Sequence, residues 1–409
     1  MKPYREALAL PGLRSLLLVA ILARVPLTAT GITLTFYVVQ DLGRGYGAAG
    51  LVGGAITVGA AIGAPLLGRL VDRGGLRPVL VLTVVAEAIF WFSAPLLSYA
   101  LLLPAAFLAG LLALPIFSVI RQSIAALVPL EKRRPAYALD SMSVELSFMI
   151  GPALATVGVT TISARLTLYV VGAGIVASGV LLWLLNPPVR SASEVASGPQ
   201  PRLARRQWLT SRLVAVFAVS AAATLVLGGS DVAVIATLRE NDDTAFTGLV
   251  LAVWAIASLV GGFAYGAARR LIPPVVLIGA LGLLTIPVGL GGSHWWLLGL
   301  ALIPAGLVCA PTIASTSDAV SRLAPASVRG EAMGLHGSAV TIGTAVGAPL
   351  AGAVIDATAP AWGFALIGAI GALVALAVLP IELRRRRADK APLPNADPTP
   401  TPTPASTSA

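Results

Sequence analysis

Twelve separate windows of apolar residues recur along this chain, near 15–38, 49–70, 78–97, 100–122, 138–160, 166–185, 211–235, 246–267, 273–291, 294–316, 332–354 and 361–381. About 20 such residues, rising 1.5 Å each, cross roughly 30 Å of hydrocarbon. Lipid leaves bare backbone unsatisfied, so windows of this kind fold as helices. Only 11% of the 409 residues are charged and mean hydropathy is +0.89, far from the roughly 25% charged content of soluble domains. The expected class is an all-α membrane protein with twelve transmembrane helices in two pseudo-symmetric six-helix bundles. The first window is not expected to be a cleaved signal peptide, because it outruns a 7–15-residue h-region and Arg24 interrupts it.

Residue inventory excludes several chemistries. A single Cys309 allows no internal disulfide, and His294 and His336 form no HExxH site. None of Lys2, Lys132 and Lys390 follows a phosphate-cradling glycine loop. Neither an enzyme, an ATP-driven pump, a metal nor an organic cofactor is implied. All but four of the 28 basic residues (Arg24, Arg44, Arg165, Arg239) fall on one side if the amino terminus is inside. Lys and Arg resist translocation, so both termini are expected in the cytoplasm of a bacterial cell, the chain crossing its inner membrane. The same bias accounts for the net charge of +10 without nucleic acid, whose readers gather charge on one soluble face.

A shift of 196 residues aligns Leu127 with Leu323, Pro129 with Pro325, Arg133 with Arg329, Ala136 with Ala332, Leu139 with Leu335 and Gly151 with Gly347. Identities spaced alike point to an internal duplication. In this frame Asp140 falls on His336 and Glu145 on Thr341. The organisation read from the sequence is an amino-terminal bundle over 1–187, a polar linker over 188–208, a carboxy-terminal bundle over 209–384 and a disordered tail over 385–409 rich in Pro, Ser and Thr.

Between the second and third windows lies Gly68-Arg69-Leu70-Val71-Asp72-Arg73-Gly74-Gly75-Leu76-Arg77. Its pattern of Gly68, Asp72, Arg73, Gly75 and Arg77 resembles the loop signature of the major facilitator superfamily of secondary transporters. A weaker echo, Gly262 to Gly266 followed by Arg269 and Arg270, lacks the acid. Helix five, with Ala138-Leu139-Asp140, Glu145, Phe148 and Gly151-Pro152, resembles actinobacterial drug or metabolite exporters of that superfamily. Their usual Gly-x-x-x-Gly-Pro has Ser147 in its first place here, and Gly110 stands in helix four with Ala106 at the usual arginine position. The resemblance implies alternating access, with Asp72, Arg73 and Arg77 forming a cytoplasmic gate.

Candidates for proton coupling or substrate contact are the ionisable residues within spans, since such groups are costly in lipid. Glu145 leads, about seven residues into helix five; the bland reading pairs it with Arg24 or Arg121. Arg24, beside Pro26, is expected to pair with Glu145. Glu87 in helix three is more peripheral, and Asp140 and His336 sit nearer the cytoplasmic surface. Asp231 and Asp318 read as solvated span ends. Gly53, Gly54, Gly59, Gly63, Gly343, Gly347 and Gly352 read as seams along which the halves shear.

The expected function is a proton-coupled exporter of small, largely apolar compounds, whose partners are the lipid bilayer, a small-molecule substrate and protons. The chain is expected to act as a monomer. A sugar or other nutrient permease is the alternative within the class, disfavoured by sparse interior Asn and Gln; a non-transporting sensor or scaffold is the alternative outside it.

Overall fold

The computed structural model describes residues 2–196, 203–268 and 272–388, with side chains through 383. It contains twelve spans: α1 (Leu13–Asp41), α2 (Tyr46–Gly74), α3 (Leu76–Leu96), α4 (Tyr99–Leu127), α5 (Leu130–Thr161), α6 (Ala164–Leu185), α7 (Ser211–Glu240), α8 (Thr244–Ala267), α9 (Pro274–Gly291), α10 (Trp295–Leu323), α11 (Ala326–Ala357) and α12 (Pro360–Leu383). No strand occurs among the described residues. Leu18, Leu22, Ile89, Leu101 and Leu184 lie exposed on the outer helix faces, as side chains bathed in acyl chains should. Of the tail expected over 385–409, residues 385–388 instead continue the last helix, Pro360–Ala388, while 389–409 and the basic pair Arg269 and Arg270 lie outside the described residues.

Helix pairing repeats between the halves. In the first half α1 packs on α5 and α6, α2 on α4, and α3 on α6. In the second, α7 packs on α11 and α12, α8 on α10, and α9 on α12. Across the halves, α2 meets α11 and α5 meets α8. The glycine stripes sit mostly within the halves, which corrects their expected role. A Cβ on Gly59 or Gly63 would strike the α4 backbone at Phe107 or Leu111, and one on Gly343 or Gly347 would strike α7 at Ala221 or Leu225. The seam between halves instead uses Gly68, Gly330 and Gly334, where backbones pass too close for any side chain.

Proline and glycine set the irregular points. Gly75 takes φ 82°, a left-handed conformation that ends α2 and starts α3 without an intervening loop. Inside α4 the helix breaks between Leu111 and Ile116, ahead of Pro115. The Leu114 N–H exposed by that break donates to Glu87 Oε1 at 3.2 Å. Two short helices, Ala192–Ala196 and Arg205–Trp208, form in the stretch read as a polar linker.

An even number of spans places the start of α1 and the end of α12 on one face, the terminal face. Here the halves are closed. The deepest hydrogen bonds between them, Ser338 Oγ to Ala61 O at 2.6 Å and Ser258 Oγ to Glu145 Oε1 at 2.8 Å, lie near mid-helix. Beyond that depth Gly47, Gly50, Gly53 and Gly54 of α2 look onto open space. No hydrogen bond joins the halves beyond that depth among the described residues, so the cleft between them opens on the opposite, far face.

Candidate functional site

Three polar layers are stacked from the terminal face to the floor of this cleft. The outermost is built on the α2–α3 turn. Asp72 Oδ1 accepts from the Gly330 N–H and Oδ2 from the Glu331 N–H, both at 2.8 Å. These are amides of the first α-helical turn of α11, which starts at Arg329 after the tighter turn Ala326–Val328, so the carboxylate meets both orphan donors and the positive helix end. Gln122 Nε2 donates to Asp72 Oδ1 at 3.3 Å, and Arg190 Nη2 donates to the Asp72 carbonyl at 2.8 Å.

Around it, Glu331 accepts from Arg205 at 2.6 Å and pairs with Arg69 at 3.5 Å. Arg329 binds Glu194 in a two-toothed contact of 2.7 and 3.1 Å. Burial pushes the Glu194 carboxyl up, but hydrogen bonds from Arg329 and the Ser191 amide outweigh it and hold the group below the usual carboxylate range. Both short linker helices are thereby docked onto α11. The basic partners in this layer are Arg69, Arg190, Arg205 and Arg329. Arg73 is exposed and joins no ion pair among the described residues, while Arg77 lies 5.0 Å above the Trp183 ring within its own half. The geometry thus brings Gly68 and Asp72 into the closure and leaves Arg73 and Arg77 outside it.

In the pseudo-symmetric contact, α8 against α5, Gly266 stands where the α2 turn has Asp72, so no acid closes the terminal end. Tyr4 from the helix Lys2–Leu8 fills its place. Its ring stacks on Phe263 at 4.7 Å, and its hydroxyl donates to the Phe263 carbonyl. Burial pushes this phenol up to about 12, against a smaller opposing pull from Arg134. Sequence reading missed Tyr4, because the hairpin echo shows what is lacking and not what replaces it.

Deeper lies a buried charge cluster. Arg24 Nη2 donates to Asp140 Oδ1 at 2.6 Å and Nη1 to Ser143 Oγ at 2.7 Å. Arg121 Nε donates to Asp140 Oδ2 at 3.4 Å. Arg24 therefore pairs with Asp140 and not with Glu145, correcting the expected partner. The stripe Asp140, Ser143, Ser147 and Gly151 faces α1: Thr28 Oγ1 donates to the Ser147 carbonyl at 2.7 Å, and a Cβ on Gly151 would meet Val25 O at 2.5 Å. Pro152 lies inside the α5 helix just beyond. Arg121 Nη1 also reaches across the halves to His336 Nδ1 at 3.2 Å. An arginine can only donate, so Nδ1 accepts and the ring hydrogen sits on Nε2. Nε2 in turn faces Thr316 Oγ1 at 3.1 Å, whose own hydrogen goes to Ile313 O. Two buried guanidiniums thus share one carboxylate beside a neutral imidazole.

The cleft floor holds the second acid system. Glu145 is half-buried and binds Ser258 of α8, whose Oγ also accepts from the Ala310 N–H at 3.2 Å. With that lone pair engaged, Ser258 directs its hydrogen at Glu145. Asp231 of α7 lies close enough for its charge to act on Glu145. It is exposed, as expected, but lies inside the span, nine residues before the end of α7. Asp318 likewise departs from expectation: it is 4% exposed and accepts from Arg322 Nε at 2.9 Å. Glu87 is remote from all of these. Trp91 Nε1 donates to its Oε2 at 2.6 Å, which together with the Leu114 amide makes it the brace of the α4 break.

A family model described as Major Facilitator Superfamily matches residues 16–272 and 232–407. The chain belongs to the major facilitator superfamily. It is therefore a multi-pass membrane transporter by family and fold. Solved superfamily structures superpose along nearly its whole length. The human organic anion transporter MFSD10 (TETRAN) is 18% identical with a TM-score of 0.70, covering 90% of this chain and 99% of that one. A bacterial homologue of the iron transporter ferroportin, in an outward-facing state, is 15% identical with a TM-score of 0.71, covering 92% and 100%. The proton:xylose symporter XylE is 14% identical with a TM-score of 0.67, covering 90% and 95%. At these identities the likeness concerns the superfamily fold alone. No curated protein matches the chain by sequence.

Proposed function

We propose that this superfamily member is a proton-coupled exporter of small, largely apolar compounds, working by alternating access in a bacterial inner membrane with both termini in the cytoplasm. The far-face cleft is then the outward-facing state, and the terminal-face layers form its closed cytoplasmic gate. The observation that carries the reading is the Glu145–Ser258 hydrogen bond, which joins the two halves at the cleft floor with Asp231 close by. Two carboxylates on facing halves favour uptake of a proton or an amine-bearing substrate, because ionised acids in a low-dielectric cleft demand a counter-charge. Ionised Glu145 accepts from Ser258 more strongly than its protonated form does. Protonation from outside loosens this tie and frees the halves to rock; release inside restores it.

The test is accumulation of a fluorescent lipophilic cation and of a neutral dye in inside-out vesicles under an imposed proton gradient, comparing the wild type with Glu145→Gln. Gradient-driven accumulation lost in the variant supports the reading. Accumulation of neither dye by folded protein overturns the exporter assignment.

A further inference from the structure

The buried charge cluster reaches from one half into the other through the Arg121–His336 hydrogen bond. Arg24, Arg121, Asp140 and Ser143 belong to the first half, His336 and Thr316 to the second. Asp140 and His336 are also the two positions that the 196-residue shift superposes. One guanidinium is therefore gripped by both copies of a duplicated position, by an acid in its own half and by an imidazole in the other. The first grip survives when the halves part, and the second breaks. A carboxylate at 336 would hold Arg121 at any ordinary pH, whereas an imidazole holds it only while neutral.

The ring is 0% exposed and both of its nitrogens are committed. Nε2 donates to Thr316 Oγ1, and the Nδ1 lone pair accepts from Arg121. A second ring proton has to go on Nδ1, where it sets N–H against N–H and places two positive charges 3.2 Å apart. The acids nearby are already engaged: Asp140 with Arg24 and Arg121, Asp318 of α10 with Arg322, and Glu331 of α11 with Arg205. At this depth α2 brings the Ala61 and Ala64 backbone. Neither Arg212 of α7 nor Glu382 of α12 acts on the ring, whose charged neighbour is Arg121. The closed face therefore admits His336 only as the neutral ring. His336 stands on the terminal side of the Ser338–Ala61 hydrogen bond, about seven residues and hence about 10 Å in from Arg329. Parting the halves at that face takes Arg121 away and lets water reach the ring, where an ordinary imidazole titrates near about 6.5.

We propose that His336 is an acid-sensitive stop on the terminal face: a proton taken up from that side while the face is open bars Arg121 from returning and holds the face open. Acid on the terminal side then arrests the cycle with the far face shut. On the function proposed above, protons delivered to that side slow the exporter that carried them in, while the device itself needs only alternating access.

The experiment measures the distance between spin labels at Thr161 and Thr244 on the far face, in the full-length protein in lipid nanodiscs, as pH is lowered. Carrying Glu145→Gln throughout silences the acid of the cleft floor. No transport is required, so the result stands or falls apart from the exporter reading. A closed form that takes no proton and an open form titrating near about 6.5 give a closed-to-open ratio about tenfold lower at about pH 5.5 than at about pH 7.5. That change is read as growth of the short-distance population. His336→Gln, whose amide accepts from Arg121 and donates to Thr316 without titrating, should flatten the response. Should that variant misfold, His294→Gln leaves His336 as the one imidazole of the chain. Its ring-nitrogen resonances should then show the Nε2–H tautomer at neutral pH and the doubly protonated ring in acid, in step with the distance change. A distance distribution indifferent to pH, a response unchanged by His336→Gln, or a ring that protonates with no change in distance overturns the proposal.

Discussion

Replacing Asp140 isolates the energetics of the buried charge cluster. Wild type holds two guanidiniums, at 0% and 5% exposure, against one carboxylate at 1%. Asp140→Ala doubles the excess positive charge from one to two with no water to screen it. Ser143 Oγ and the Phe117 ring, 5.0 Å from the Arg24 guanidinium, are the remaining partners of Arg24. A cation–π contact contributes about 1–2 kcal/mol and cannot replace an ion pair of this geometry. His336 gives no relief, since its lone pair already accepts from Arg121. Stripping one partner from a buried pair costs about 3–5 kcal/mol, which is the loss expected. Adding Arg24→Met returns the excess charge to one, so the double variant should recover about 2–3 kcal/mol as coupling. Reversible unfolding in mixed SDS–detergent micelles measures all four members of the cycle. Asp140→Ala within about 1 kcal/mol of wild type, or strict additivity, would refute the reasoning.

Further expectations concern the closed face and the α4 brace. Asp72→Asn removes the charge at the α11 helix start, and Gly68→Ala drives a Cβ into the Gly330 carbonyl; each should shorten the distance between spin labels at Thr161 and Thr244 on the far face as the population shifts to the other state. An unchanged distance distribution in both variants would mean that this layer does not hold the face shut. Glu87→Ala should cost about 2–4 kcal/mol through the two donors it strands, with the proton dependence of transport unmoved; a variant of normal stability but altered proton dependence would return Glu87 to the coupling machinery. Because the folded Glu194 carboxyl titrates below its unfolded value of about 4.3, its contact with Arg329 stabilises fully above that pH and is lost as pH falls through the lower folded value. Limited proteolysis between Ala192 and Trp208 should accelerate only under that acid condition, and an onset near neutral pH would assign the release to another group.

Span number and the division into two six-helix halves were legible because apolar length and a repeated register report directly on bilayer crossing and duplication. Span ends were less so: α5 begins at Leu130 and α10 runs to Leu323, past the apolar windows, because intrahelical hydrogen bonding continues once charged side chains reach water. The misread partner of Arg24 has a similar cause. Counting residues fixes depth along a helix and not direction around it, and five residues separate Asp140 from Glu145, turning them about 140° apart. The spacing of Asp140, Ser143, Ser147 and Gly151, small and polar at steps of three and four, carried the answer in the sequence. Asp231 and Tyr4 had no such signal, since what they meet lies on elements distant in sequence, whereas Asp318 pairs with Arg322 one turn on in its own helix.

The two contacts that shut the terminal face differ in kind, and that difference has a mechanical consequence. At α2–α11 the fastening is a carboxylate set among guanidiniums, which salt and acid both weaken; at α5–α8 it is a stacked phenol bound to a carbonyl, which responds to neither at any physiological pH. At the terminal face itself, acid or salt acts on the α2–α11 edge only. A face fastened this way parts first along α2–α11 and swings about Tyr4, so its early motion is an oblique tilt, and the symmetry written into the helix pairing is broken at the first step of opening.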